Sequence, residues 1–277
     1  MNINELKLNG EYRVAMANDL ITGHQRMTLR ESQIISIAVS NIVKEDKDFK
    51  AYSVTLKELS KFMDIDFKNL HRDIKGICKN LMGKYIEVKK GDNKWKLVSW
   101  FQSIGYADGR LYFKLSEDLK PYLIDLQSYY SQPKLSTVLT FKTYYAKRLY
   151  EFLLAVDGSK HNGVTEWHLS CDEIRELFQV GNTYGRNYNL LMKTIKPAIK
   201  EMNKTNYVHV YDYREIHESM MGKRGKPQIV GITFKAEFFE GDTHRTAKEK
   251  KDFFLAHLPQ IMEVIGKESA NNENNFR

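Results

Sequence analysis

Between residues 28 and 44 the apolar side chains Leu29, Ile34, Ile37, Ala38 and Ile42 recur at helical spacing. Thr28 followed by Glu31 is a capping-box pattern and marks where this helix starts. The same signal at Thr55 and Glu58 opens a second helix, TLKELSKFM, and a third is predicted over about 67–82. The period then changes. KYIEVKK, a turn at Gly91-Asp92-Asn93, and KWKLVSWFQSIGY read as a β-hairpin, and RLYFKLS after Asp108-Gly109 as a further strand. Residues 117–126 read as helical again. Three helices followed by a strand hairpin is the winged-helix arrangement, a helix-turn-helix with a β-ribbon attached.

The order then repeats. Residues 142–156 form an amphipathic helix, VTEWHLS a short strand, and SCDEIRELF a helix capped by Ser170 and Glu173. A basic helix is expected at about 186–204, with a kink at Pro197, whose ring clashes with the carbonyl of Lys193. Strands over 206–216 and 227–239 flank the loop ESMMGKRGK. The predicted fold class is therefore α+β: two tandem winged-helix domains, at 1–126 and 142–240. Residues 127–141 show no helical stripe and read as a connection. In the tail 241–277 a helix is expected at 245–266, followed by a disordered polar end.

Charge sharpens this picture. Leu70, Ile74, Ile77 and Leu81 recur at steps of four, three and four, and Lys68, Arg72, Lys75 and Lys79 at the same steps, displaced by two residues. At roughly 100° per residue the cations lie opposite the apolar face, with Asn69 beside them. In the second unit Leu191, Ile195, Ala198 and Met202 form the apolar side, and Lys193, Lys196, Lys200 and Lys204 lie mostly around the other. Arg186, Asn187 and Asn189 stand in the first turn, where a recognition helix reaches base edges. Arginine suits guanine and asparagine adenine, whereas the later lysines suit phosphates. Lys89, Lys90 and Lys94 flank the first hairpin tip, and Lys223, Arg224 and Lys226 lie in the second, so both are read as DNA-contacting wings.

The chain has 277 residues and a formal net charge of +8, which suits a polyanionic partner. No apolar leader is seen, and no stretch reaches the ~18 apolar residues of a spanning helix. Cys78 and Cys171 lie far apart in predicted helices, so neither a disulfide framework nor a metal site is expected. The reading is of a cytoplasmic protein without membrane contact. No catalytic residues are assigned and no cofactor. MGKRGKP lacks the Ser or Thr and the following helix of a phosphate loop, and the eight histidines form no His-x-His pair of the kind a tyrosine nickase needs.

Three stretches, in order, resemble the iteron-binding plasmid replication initiators of the F-plasmid type. They are YRVAMANDLITGHQRMTLRESQIISIAVSNI with its Asn18-Asp19-Leu20 turn, YYAKRLYEFLL at 144–154, and IKPAIKEMNKTNYVHV at 195–210. The resemblance spans about 14–235. It implies double-stranded DNA as partner, at repeated origin sites and an operator, with both recognition helices on one repeat. It further implies a monomer–dimer equilibrium, and recruitment of the host replicative helicase and the host initiator. The first domain would then supply backbone contacts and dimerisation, and the second the main sequence readout. Tandem winged helices alone would equally allow a transcriptional regulator, and a nickase with a tyrosine nucleophile is the enzymatic alternative.

Overall fold

The computed structural model describes residues 3–89, 94–124, 126, 129–157, 165–218 and 227–238. Two short strands, β1 (Ile3–Glu5) and β2 (Met16–Ala17), lead into a one-turn helix α1 (Asn18–Thr22) and then α2 (Leu29–Val39). At the start of α2 the Glu31 amide donates to the Thr28 hydroxyl at 3.3 Å, and the Thr28 amide to the Glu31 carboxylate at 2.7 Å. Strand β3 (Ala51–Thr55) passes directly into α3 (Leu56–Phe62), where Thr55 and Glu58 form a second reciprocal cap. Helix α4 (Phe67–Met82) follows, opened by Asp66, whose carboxylate accepts from the Asn69 amide at 3.0 Å. Caps of this kind are each worth about 1 kcal/mol, and they explain why these starts were readable from local sequence.

After α4 the structure departs from the expected hairpin. Strands β4 (Tyr85–Lys89) and β5 (Trp95–Ser99) form a separate two-stranded ribbon. It is β6 (Phe101–Ala107) and β7 (Arg110–Leu115) that join β3, in a sheet ordered β1-β3-β7-β6. The run 94–106 reads as one strand, yet Trp100 and Phe101 are both buried. Two successive inward side chains violate the alternation of a strand, so the chain bends there and changes sheets. The tight β6–β7 turn is made by Asp108 and Gly109, both left-handed at φ 50° and 74°. The hairpin of the first winged sheet is thus β6–β7, and Lys89 and Lys94 lie at the ends of the separate β4–β5 ribbon. Gly23 seats the extra ribbon: a Cβ there would stand 2.6 Å from Ile86, so the close approach of β4 excludes any side chain.

A 3-10 turn at Glu117–Leu119 runs into α5 (Lys120–Leu123). The segment read as a connection without a helical stripe then carries β8 (Tyr130–Ser131), paired with β2, and α6 (Leu135–Thr140), packed on α2. Six residues are too few to show a stripe. Burial of Leu135 and Val138 against α2 forms this helix, which is a tertiary effect.

The second unit runs through α7 (Tyr144–Asp157), β9 (Thr165–Ser170), α8 (Cys171–Phe178), α9 (Asn187–Lys193), α10 (Ile195–Met202), β10 (Val208–His217) and β11 (Ile229–Phe238). Its sheet order, β10-β11-β9, repeats β6-β7-β3 of the first. The expected single basic helix is two. Thr194, at φ −122° and ψ −78°, breaks it, and Pro197 falls in the first turn of α10, where its missing N–H is no loss. The two winged units lie in one compact body ending at Phe238; the tail helix expected at 245–266 lies outside the described residues.

Candidate nucleic-acid interface

Helix α4 turns Leu70, Ile74, Cys78 and Leu81 inward and half-buries Ile77. Lys68, Asn69, Arg72, Lys75 and Lys79 stand exposed on the opposite side. Among the described residues no ion pair engages Lys68, Lys75 or Lys79. Arg72 is held by the adjacent Asp73 at 2.8 Å, and that contact lowers the Asp73 carboxyl below its usual range. Both partners are exposed, so water screens the pair and a phosphate can compete for the arginine. Gly76 sits among these cations, and a Cβ built on it meets nothing within 4 Å. The wing adjoins the start of the helix: Phe67 contacts His71 at 5.8 Å between ring centroids, and His71 meets Tyr106 of β6 edge-on at 5.9 Å. This wing is polar rather than basic. Its exposed residues include Gln102, Ser103 and Asp108, and Arg110 is engaged by Glu5.

In the second unit Arg186 and Asn189 are exposed at the start of α9, and Lys193 and Lys200 are exposed farther along. Two of the expected contact residues, Asn187 and Lys196, have partners within the protein. Asn187 donates to the Ile229 carbonyl of β11 at 2.6 Å and accepts from Arg175 of α8 at 3.0 Å, so one end of its amide fastens α9 to the wing and the other to α8. Lys196 binds Glu215 at 2.6 Å and lies 5.8 Å from the centre of the Tyr213 ring, turned back onto the sheet. Both depend on strands some twenty to forty residues later in the chain, which no helical pattern can reveal. Lys94 is exposed before β5, and Lys89 closes β4; Lys90, Lys223, Arg224 and Lys226 lie outside the described residues.

Helix α7 fixes the two surfaces relative to each other. Arg148 is fully buried and donates to the carbonyls of Ile21, of Gly23 at 2.8 Å and of Leu177 at 3.3 Å, joining α1 and the loop after it to α8. Asn18 donates to the Ala155 carbonyl at 2.7 Å, and Tyr144 to that of Gln25 at 3.3 Å. Lys147 is buried between Ser32 at 2.7 Å and Glu151 at 2.5 Å; burial holds its ammonium below the usual lysine range, with Glu151 acting against that. Glu201 of α10 accepts from the Thr143 amide and hydroxyl, at 3.2 and 2.6 Å, at the start of α7. The sequence had marked this helix as amphipathic but gave no sign that its charges were internal.

A family profile described as Initiator Replication protein, WH1, matches residues 13–154, more than half of the chain, and one described as Initiator Rep protein, WH2, matches 170–236. The chain belongs to the replication initiator protein family. A replication initiation protein of Escherichia coli is 23% identical over 222 residues, covering 78% of this chain and 67% of that one. The crystal structure of the Pi initiator protein in complex with iteron DNA superposes with a TM-score of 0.66 at 17% identity, over 84% of this chain and all of that one. At that identity the likeness concerns the fold, two winged-helix domains. Among the described residues no helix is long and apolar enough to cross a membrane, and no three His, Cys, Asp or Glu side chains gather as for a metal.

Proposed function

We propose that this replication initiator binds double-stranded DNA at direct repeats of a plasmid origin, helps open it, and recruits the host replicative helicase and host initiator. Its own operator would be a second target, giving autorepression. The observation that carries the reading is the pair of exposed basic helix faces, on α4 and on α9–α10, within one body braced by α7. In this reading the first domain supplies mainly backbone contacts, through Lys68, Lys75 and Lys79 along α4, and the second the main sequence readout, through Arg186 and Asn189 at the start of α9. The protein acts by binding and deforming DNA, without a catalytic step, a cofactor or a membrane, in the cytoplasm. Self-association belongs to the same reading: Tyr85, Trp95 and Leu97 are exposed on the β4–β5 ribbon, and β5 pairs only with β4 among the described residues.

Footprinting on DNA from upstream of the gene tests this. Protection of direct repeats, each about two helical turns long, is expected. A plasmid carrying that region should replicate only when the protein is supplied. Protection of a single operator with no replication would mark a transcriptional regulator instead, and a site-specific nick in supercoiled plasmid with Mg²⁺ would mark an enzyme.

A further inference from the structure

Leu190 and Leu191 of α9 are fully buried, and Asn187 is fastened to β11. At roughly 100° per residue, Asn189 and Met192 then lie on the outermost line of the helix, flanked by Tyr188 and Lys193. Tyr188 is 55% exposed and Met192 39%. Four residues apart, they are neighbours on the helix surface. Single exposed apolar side chains are ordinary on any protein. This pair is different in its company: it stands among exposed Arg186, Asn189 and Lys193, in the part of the helix expected to face bases. Large apolar groups kept in water there contribute no burial to the folded protein, and only a docked surface can cover them.

The major groove offers one apolar feature, the 5-methyl group of thymine. Methionine, unbranched and with three rotatable bonds, can follow a methyl group into an irregular gap, and the tyrosine ring offers a flat apolar wall beside it. We propose that Tyr188 and Met192 are specificity-determining residues that cover thymine methyl groups, so that α9 reads thymine by burial beside the hydrogen-bonding Arg186 and Asn189. The proposal rests on the DNA-binding reading above and adds a base preference to it.

The test starts from a duplex selected out of a random pool by the full-length protein. That duplex is resynthesised with deoxyuridine in place of thymine, one position at a time, which removes only the methyl. At one or two positions the replacement should weaken binding about fourfold, the worth of one buried methyl group. Met192→Ala or Tyr188→Ala should weaken binding to the thymine duplex similarly and abolish the difference between thymine and uracil at one of those positions, and Met192→Leu should restore it. Both side chains are exposed, so the variants should melt at the wild-type temperature. Deoxyuridine tolerated everywhere, by a protein still preferring the selected duplex, would overturn the inference and leave the DNA-binding reading intact. Equal uracil sensitivity in the alanine variants would overturn the assignment to these residues. Failure to select any duplex over random DNA would defeat the DNA-binding reading itself, and the inference with it.

Discussion

Arg186 and Asn189 stand exposed at the start of α9, and Lys75 and Lys79 stand along the outer face of α4. The two pairs should fail differently. Replacing Arg186 or Asn189 with alanine should lose about 1–3 kcal/mol on the cognate repeat and little on random DNA. Replacing Lys75 or Lys79 should weaken both and reduce the slope of log affinity against log salt by about one, as titrations at several salt concentrations would reveal. Gly76 offers a sharper test, because the two effects of one methyl oppose each other. Its Cβ would meet nothing, so Gly76→Ala should stabilise the free protein by about 1 kcal/mol in a denaturant melt. On a duplex lying against that face the same methyl intrudes, and affinity should fall. Unchanged affinity would mean that the DNA never approaches the α4 backbone.

At the scale of elements, the starts of α2, α3 and α8 were legible because each is written within four residues as a reciprocal cap. Helix α4 matched its expected limits, since its apolar and basic stripes both run its full length. The wing of the first unit was misread because strand pairing is decided across the sheet: β7 pairs with β3, more than fifty residues earlier. Buried groups on these elements carry two predictions. Burial pushes the Cys78 thiol of α4 up to about 11 from an ordinary 9.0. A thiol held neutral in this way contributes stability that is complete below about pH 9 and is lost as pH rises toward 11. The native thiol should therefore resist alkylation at neutral pH, and a Cys78→Ala variant should flatten the alkaline loss. On α7, Lys147→Ala strands Glu151 in the interior and should cost about 3–5 kcal/mol in a denaturant melt. The double replacement Lys147→Met with Glu151→Leu should recover much of that loss.

The whole molecule depends on α7, which touches both winged units through side chains that the amphipathic pattern would place in solvent. Arg148 ties three carbonyls, two from the first unit and one from α8, with a planar fork that lysine cannot imitate. Arg148→Lys should therefore split one calorimetric unfolding transition into two, as the units lose their common brace. Its affinity for a repeat that engages both helices should fall more than its affinity for random DNA. A single transition at the wild-type temperature would show that the apolar packing around α7 suffices.

The capped starts of α2, α3 and α8, the duplicated plan and the outward cationic stripe of α4 were determined by the sequence alone, because each is a periodic or capping signal confined to neighbouring residues. Tertiary structure decided which hairpin joins the winged sheet, that the basic helix divides at Thr194, and that residues 135–140 fold as a helix on α2. It also gave Asn187 and Lys196 partners on β11 and β10. The reason is common to all of these. A polar side chain is committed by whichever partner folding brings to it, and those partners lie tens of residues away, beyond the reach of any local pattern.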